Sequence, residues 1–255
     1  MACAARRCLL ALLALFALTG ARDPILVADV SQPKVEVRQG FTGTELLLFG
    51  AILTPEGARA GGDYDIVVVL EGPARPVVLR EKRKIAGVWV NADSTTLRSM
   101  PSYYAVASSR PIRQIVDERT AAIYEMGLTS LQLSPSDMLD QARQDHFAAG
   151  LVDLMVRKGL YRQEENAVTM TGQVLYSARI ALPSSVQTGT YTAETFAIRK
   201  GRVVASALTH VVVSKQGFER AVADYSRHRA FAYGLVAVLV SVLMGWVAGR
   251  LFALV

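Results

Sequence analysis

The chain has 255 residues, 51% of them hydrophobic, with 28 Lys and Arg against 22 Asp and Glu and a formal charge of +6. So mild a basic excess argues against a dedicated nucleic-acid binder, and the length allows one large domain or two small ones with a real core. Only two cysteines occur, Cys3 and Cys8, both at the amino-terminal end.

That end reads as a secretory signal peptide. Arg6 and Arg7 precede an apolar run over residues 8–18, followed by the small-residue site Thr19-Gly20-Ala21. The run is too short to span a bilayer, so residues 1–21 are set aside and cleavage is expected after Ala21. The mature chain then carries +4 and no thiol, which removes disulfides, cysteine nucleophiles and thiolate metal sites together.

Residues 22–110 read as a first β region. The segment 34–38 (KVEVR) alternates, and 44–50 (TELLLFG) follows a glycine-punctuated turn. Residues 54–63 are a turn-rich loop, and 65–71 (DIVVVLE) lacks alternation, as a strand buried on both faces does. Residues 76–84, 86–91 and 103–108 complete the region.

The period changes over 111–160, the two-helix segment. Ile112, Ile115, Val116, Ile123 and Met126 recur at helical spacing over 111–126, with Gly127 just past the end. A second helix is expected from Ser134 as N-cap, with Pro135 in the first turn, Asp137 three residues on and Gly159 as the stop. Its apolar face would be Leu139, Phe147, Leu151, Leu154 and Met155. Strands return in a second β region, 161–214, at 173–181, 191–200 and 202–214, the last two joined by a turn at Gly201. The expected fold class is mainly β with a helical insertion: an immunoglobulin-like β-sandwich ectodomain.

Residues 215–229 form a basic stalk, and 230–255 a transmembrane helix. Ala230 through Gly249 contains no charge, and twenty residues at a rise of about 1.5 Å match a hydrocarbon thickness of about 30 Å. A signal peptide plus one C-terminal span places the domain in the periplasm, the span in the inner membrane and the carboxy terminus in the cytoplasm. Lys215, Arg220, Arg227 and Arg229 before the span, against Arg250 after it, argue for the opposite orientation. The signal peptide takes precedence, because long domains translocate largely regardless of charge.

The sequence contains no G-x-S-x-G, H-E-x-x-H, phosphate-loop or G-x-G-x-x-G pattern, and His146, His210 and His228 are far apart. No catalytic residue, cofactor or metal site is expected. Three features stand out. The run 80–84 (REKRK) is a basic strand that could meet an anion or acidic headgroups, or form a solvated edge. Trp89, Asn91, Tyr103, Tyr104, Ser108, Ser109 and Arg110 could line a ligand pocket, or serve the core and its turns. Ala237, Ser241, Gly245 and Gly249 recur every four residues along the membrane helix, as in spans that pack closely on another helix.

Residues 40–50 (GFTGTELLLFG), 85–91 (IAGVWVN) and 101–111 (PSYYAVASSRP) together resemble the Alph_Pro_TM family of transmembrane proteins of alphaproteobacteria. The resemblance covers nearly the whole mature chain, in the order export signal, β-rich domain, single C-terminal span. It implies an envelope role beside permeases of the sulfite-exporter type, and it brings no activity, cofactor or catalytic residue. The apolar ending 251–255 departs from the basic cytoplasmic tail that the topology leads one to expect. Two functions are therefore expected. The first is a non-catalytic, membrane-anchored accessory or interaction protein, partnering a transporter or itself through the span. The second is a periplasmic small-anion-binding or sensing domain using Arg110 and the Tyr103/Tyr104 region.

Overall fold

The computed structural model describes residues 24–37, 41–53, 64–135, 140–215 and 230–252. The expected signal peptide, Arg38, the expected loop 54–63, Asp137, Leu139 and residues 216–229 of the expected stalk lie outside the described residues. Thirteen strands and four helices are described. They are β1 (Ile25–Val30), β2 (Lys34–Val37), β3 (Gly43–Leu53), β4 (Asp65–Glu71), β5 (Ala74–Ile85), β6 (Val88–Pro101) and β7 (Tyr104–Ser108). Then come α1 (Ile112–Ile115), α2 (Glu118–Ile123), β8 (Ser134–Pro135), α3 (Gln141–Arg157), β9 (Tyr161–Glu164), β10 (Val168–Thr171), β11 (Leu175–Pro183), β12 (Gly189–Arg199), β13 (Arg202–Lys215) and α4 (Ala230–Phe252).

The strands form two facing sheets and an arm. One sheet has the order β1-β3-β11-β10, the other β2-β13-β12-β4-β7-β9, and β5-β6-β8 form a third, smaller sheet. Each main sheet contains strands from both β regions, so both regions build one sandwich, an arrangement compatible with the immunoglobulin-like class. The strands β1, β9 and β10 were not foreseen; each is short and joins the sandwich at an edge, where little local pattern is needed.

Strand β4 shows why the sandwich has two cores. Ile66 to Leu70 are all buried, at 4% exposure or less. Ile66, Val68 and Leu70 face the other sheet together with Leu46, Ile52, Tyr103, Ile180 and Tyr191. Val67 and Val69 face outward, into a second core with Tyr104, Tyr161, Phe196 and Ile198. This outer core is closed by the base of the β5–β6 hairpin (Leu97, Met100), by α1 and α2 (Ile112, Ile115, Ala121) and by Leu151 and Met155 of α3. A strand covered on both faces has no polar side to alternate with, which is the origin of DIVVVLE.

The helical segment corrects several expectations. The helix expected over 111–126 is two short helices, because Val116 is extended and the Asp117 carboxylate accepts the Thr120 amide at 3.1 Å, restarting the turn as an N-cap. Glu125 (φ 50°) takes the left-handed position after α2 that had been assigned to Gly127. The long helix begins at Gln141, capped by Asp140, which accepts the Arg143 amide at 2.8 Å. Ser134 and Pro135 instead pair with Ser99 and Leu97 of β6. Asp and Ser cap equally well, so tertiary pairing decides between them. The expected stop holds: Gly159 (φ 69°) donates to Val156 O at 2.8 Å and Leu160 to Met155 O at 2.9 Å, a Schellman motif. Phe147, Leu151 and Met155 are buried as expected, whereas Leu154 is exposed at 38%.

At the other end, α4 runs for 23 residues, about 35 Å at 1.5 Å per residue. From Tyr233 to Arg250 it is long and apolar enough to cross a membrane, and none of that stretch is buried against the rest of the protein.

Candidate functional site

The seven residues expected to line a pocket separate into three groups. Tyr103 and Tyr104 are neighbours on an extended chain, so they point to opposite faces. Tyr103 enters the inner core and donates to Ala181 O at 2.8 Å. Tyr104 enters the outer core, donates to Glu125 O and accepts the Gly127 amide at 3.0 Å. Burial pushes both phenols far above their ordinary range, so both hydroxyls stay protonated donors.

Ser108 is buried on the outer-core side of β7, with no hydrogen-bond partner for its hydroxyl among the described residues. Arg110 lies just beyond it. Its Nε donates to Asp65 Oδ1 at 2.7 Å and its Nη2 to Asp65 Oδ2, a two-pronged pair. Ser109 Oγ donates to the same Oδ1 at 3.1 Å and accepts the Ile66 amide at 3.2 Å. This cluster ties the start of β4 to the end of β7. Trp89 and Asn91 sit elsewhere, exposed on the β5–β6 hairpin.

Sequence reasoning passed over three carboxylates. Glu71 ends β4 on its outward face, in register with Tyr104 on one side and Thr192 on the other. Glu125 and Glu194 join it around a cleft of about 300 Å³ that also takes in Val69, Tyr124 and Phe196. Tyr124 meets Phe196 edge-on, with ring centroids 5.3 Å apart. Burial, with added repulsion from Glu125 and Glu194, pushes the Glu71 carboxyl up to about 7. Burial also raises Glu125 and Glu194. Among the described residues no three His, Cys, Asp or Glu side chains are placed to hold a metal ion. The cleft can therefore hold a proton close to neutral pH. A carboxylate closing an otherwise apolar buried strand was the one local signal for it.

The remaining features lie on the arm and the span. The hairpin closes on Ala86 (φ 48°) and Gly87 (φ 87°), both left-handed, which matches a two-residue type I′ turn. Its far half, from Lys82 to Ala92, is exposed throughout. Two contacts brace it on α3: Arg143 grips both Asp93 oxygens at 2.7 and 2.6 Å, and His146 Nε2 lies 3.6 Å from Glu81. On α4, the Ser241 hydroxyl donates back to Ala237 O at 2.9 Å, so it is satisfied within its own helix. A Cβ added at Gly245 or Gly249 would meet nothing within 4 Å.

No curated protein and no solved structure matches the chain. The family model of the Alph_Pro_TM transmembrane proteins matches residues 25–253, from the first strand through the last turn of α4. One apolar C-terminal helix, exposed on all sides, is what such a protein requires. The chain belongs to the Alph_Pro_TM family of transmembrane proteins.

Proposed function

We propose that this single-pass protein is a non-catalytic accessory or interaction protein of the inner membrane, with its β-sandwich in the periplasm and its carboxy terminus in the cytoplasm. The observation that carries this reading is the stripe Ala237, Ser241, Gly245 and Gly249 on a span with no partner among the described residues. Helices in lipid associate by close packing, and small residues on one line let a second backbone approach. The occupant expected from the family resemblance is an inner-membrane permease of the sulfite-exporter type; a second copy of this chain would use the same stripe.

The test is crosslinking, pull-down and mass spectrometry of the membrane-embedded protein, comparing wild type with Gly245→Ile/Gly249→Ile. A permease or a dimer captured by the wild type and lost in the double mutant is the expected result. Equal capture by both, or a monomer in both, refutes the packing surface.

The small-anion alternative rests on Arg110, whose two donors meet Asp65, so an anion would have to displace that carboxylate. Thermal-shift titration with sulfite and sulfate separates the two readings, since a ligand of the folded state stabilises by RT ln(1 + [L]/Kd). The accessory reading predicts no saturable shift.

A further inference from the structure

The β5–β6 hairpin ends in a tip that is unusual for a loop in water. Ile85, Val88, Trp89 and Val90 are exposed at 55%, 64%, 66% and 38%. Solvated hairpin tips ordinarily carry polar turn residues, and clustered exposed apolar side chains mark a contact surface. Directly behind the tip, Arg80, Lys82, Arg83 and Lys84 put four cations against two carboxylates, Glu81 and Asp93, which stand opposite each other; Arg83 lies 3.4 Å from Glu81, and Asp93 is held by Arg143 of α3. The cross-strand register mixes the two chemistries: Lys84 stands opposite Trp89 and Arg83 opposite Val90. Residues paired in this way share a face, so Lys84 lies beside Trp89 on one face of the ribbon and Arg83 beside Val90 on the other.

The position of the arm supplies the second observation. It leaves the sheet after Glu71 and returns at Tyr104, two residues that are in register with each other and with Thr192. At that same end of the sheet, beyond the Gly189–Val213 pair, β13 finishes at Lys215 and the chain departs for α4. Residues 216–229 can span at most about 50 Å, at 3.3–3.6 Å per residue. The hairpin is thus rooted at the end of the sandwich that is tethered to the bilayer.

We infer that the hairpin tip docks on the anionic lipid surface of the membrane that α4 crosses. Trp89 and its aliphatic neighbours enter the headgroup region, and the cations behind them reach lipid phosphates. Tryptophan is favoured at that depth, and Lys and Arg stems lie along apolar matter while their heads stay among the phosphates. The inference rests on the membrane-anchored reading of α4. Its consequence is that the sandwich is held at two points, by the span and by the arm.

Trp89 and Trp246 are the only two tryptophans in the chain. Full-length Trp246→Phe therefore reports from Trp89 alone. It would be reconstituted into phosphatidylcholine vesicles with and without phosphatidylglycerol, each also prepared with brominated acyl chains. The expected result is blue-shifted Trp89 emission, quenched several-fold more by brominated lipid when phosphatidylglycerol is present. Adding Lys82→Gln, Arg83→Gln and Lys84→Gln, all at exposed positions, should abolish the difference while leaving the circular dichroism spectrum unchanged.

Emission that stays water-exposed in both vesicles overturns the contact, as would capture of the tip by a protein partner in its place. Quenching that persists in the triple-Gln protein overturns the anionic-lipid assignment. Retention in vesicles after alkaline extraction reads α4 separately. A retained chain with Trp89 in water refutes the arm alone, and a chain that is not retained refutes the anchor and this inference with it.

Discussion

Replacing Glu71 by Gln should stabilise the ectodomain at alkaline pH and leave it unchanged in acid. Below pH 4.5, the ordinary glutamate value, the carboxyl is protonated in folded and unfolded chains alike. Between 4.5 and about 7 the unfolded chain releases the proton while the folded chain keeps it. The folded state binds more protons in this window, so stability falls as pH rises through it, and above about 7 the loss is complete. At about 1.36 kcal/mol per tenfold change in proton affinity, the upper limit is about 3.4 kcal/mol. Glu71 keeps part of its surface in water, and screening reduces this to about 1–2 kcal/mol. For a domain of this size that is a Tm gain of about 2–8 °C at pH 8. Thermal melts of full-length protein in detergent, followed through the β-sheet circular dichroism band at pH 4.5 and pH 8, measure it. An equal gain at both pH values, or a loss at pH 8, would refute desolvation and carboxylate repulsion as the cause.

Other substitutions probe the packing around the cleft and the helix ends. Tyr104→Phe removes the donor to Glu125 O and one of the two acceptors of the Gly127 amide, which keeps Glu125 O at 3.1 Å, at a cost of about 0.5–1.5 kcal/mol in the same melts. Gly50→Ala would set its Cβ 1.9 Å from Val27 O and 2.6 Å from the Tyr176 hydroxyl. Because the first of these is backbone, β1 must move off β3, with a loss of about 3 kcal/mol or more and early proteolysis of the amino-terminal strand. Asp140→Ala should destabilise α3 by about 1 kcal/mol, visible as faster hydrogen exchange at the Arg143 amide. Ser134→Ala should leave that amide unchanged, and the opposite ranking would restore Ser134 as the cap.

Much of the fold was legible because some residues act through local chemistry alone. The uncharged stretch from Ala230 to Gly249 could only be satisfied as a helix in lipid. Val, Ile and Leu without alternation at 66–70 announced a strand covered on both faces, and Gly159 marked a left-handed helix stop. Local pattern failed where two signals of equal strength competed. Ser134 and Asp140 are both good caps, and the pairing of Ser134–Pro135 with β6 decided between them. The periodic residues of 111–126 were compatible with one helix or two until Asp117 bonded to Thr120.

The candidate site was less legible, because strand register and side-chain direction are long-range properties. Tyr103 and Tyr104 are adjacent in sequence and belong to different cores. Arg110 met Asp65, 45 residues away, in a pair no spacing rule anticipates. Glu71, Glu125 and Glu194 come together only when β4, α2 and β12 share one outer face, and burial there, a property of the assembled layers, is what moves their proton affinity. The sequence by itself determined the membrane span, the β-rich body and the small-residue stripe, since composition and period act over a few helical turns or a single strand. Tertiary structure alone decided that two β regions make one sandwich, that a basic strand becomes an arm with an apolar tip, and that three separated glutamates face one another.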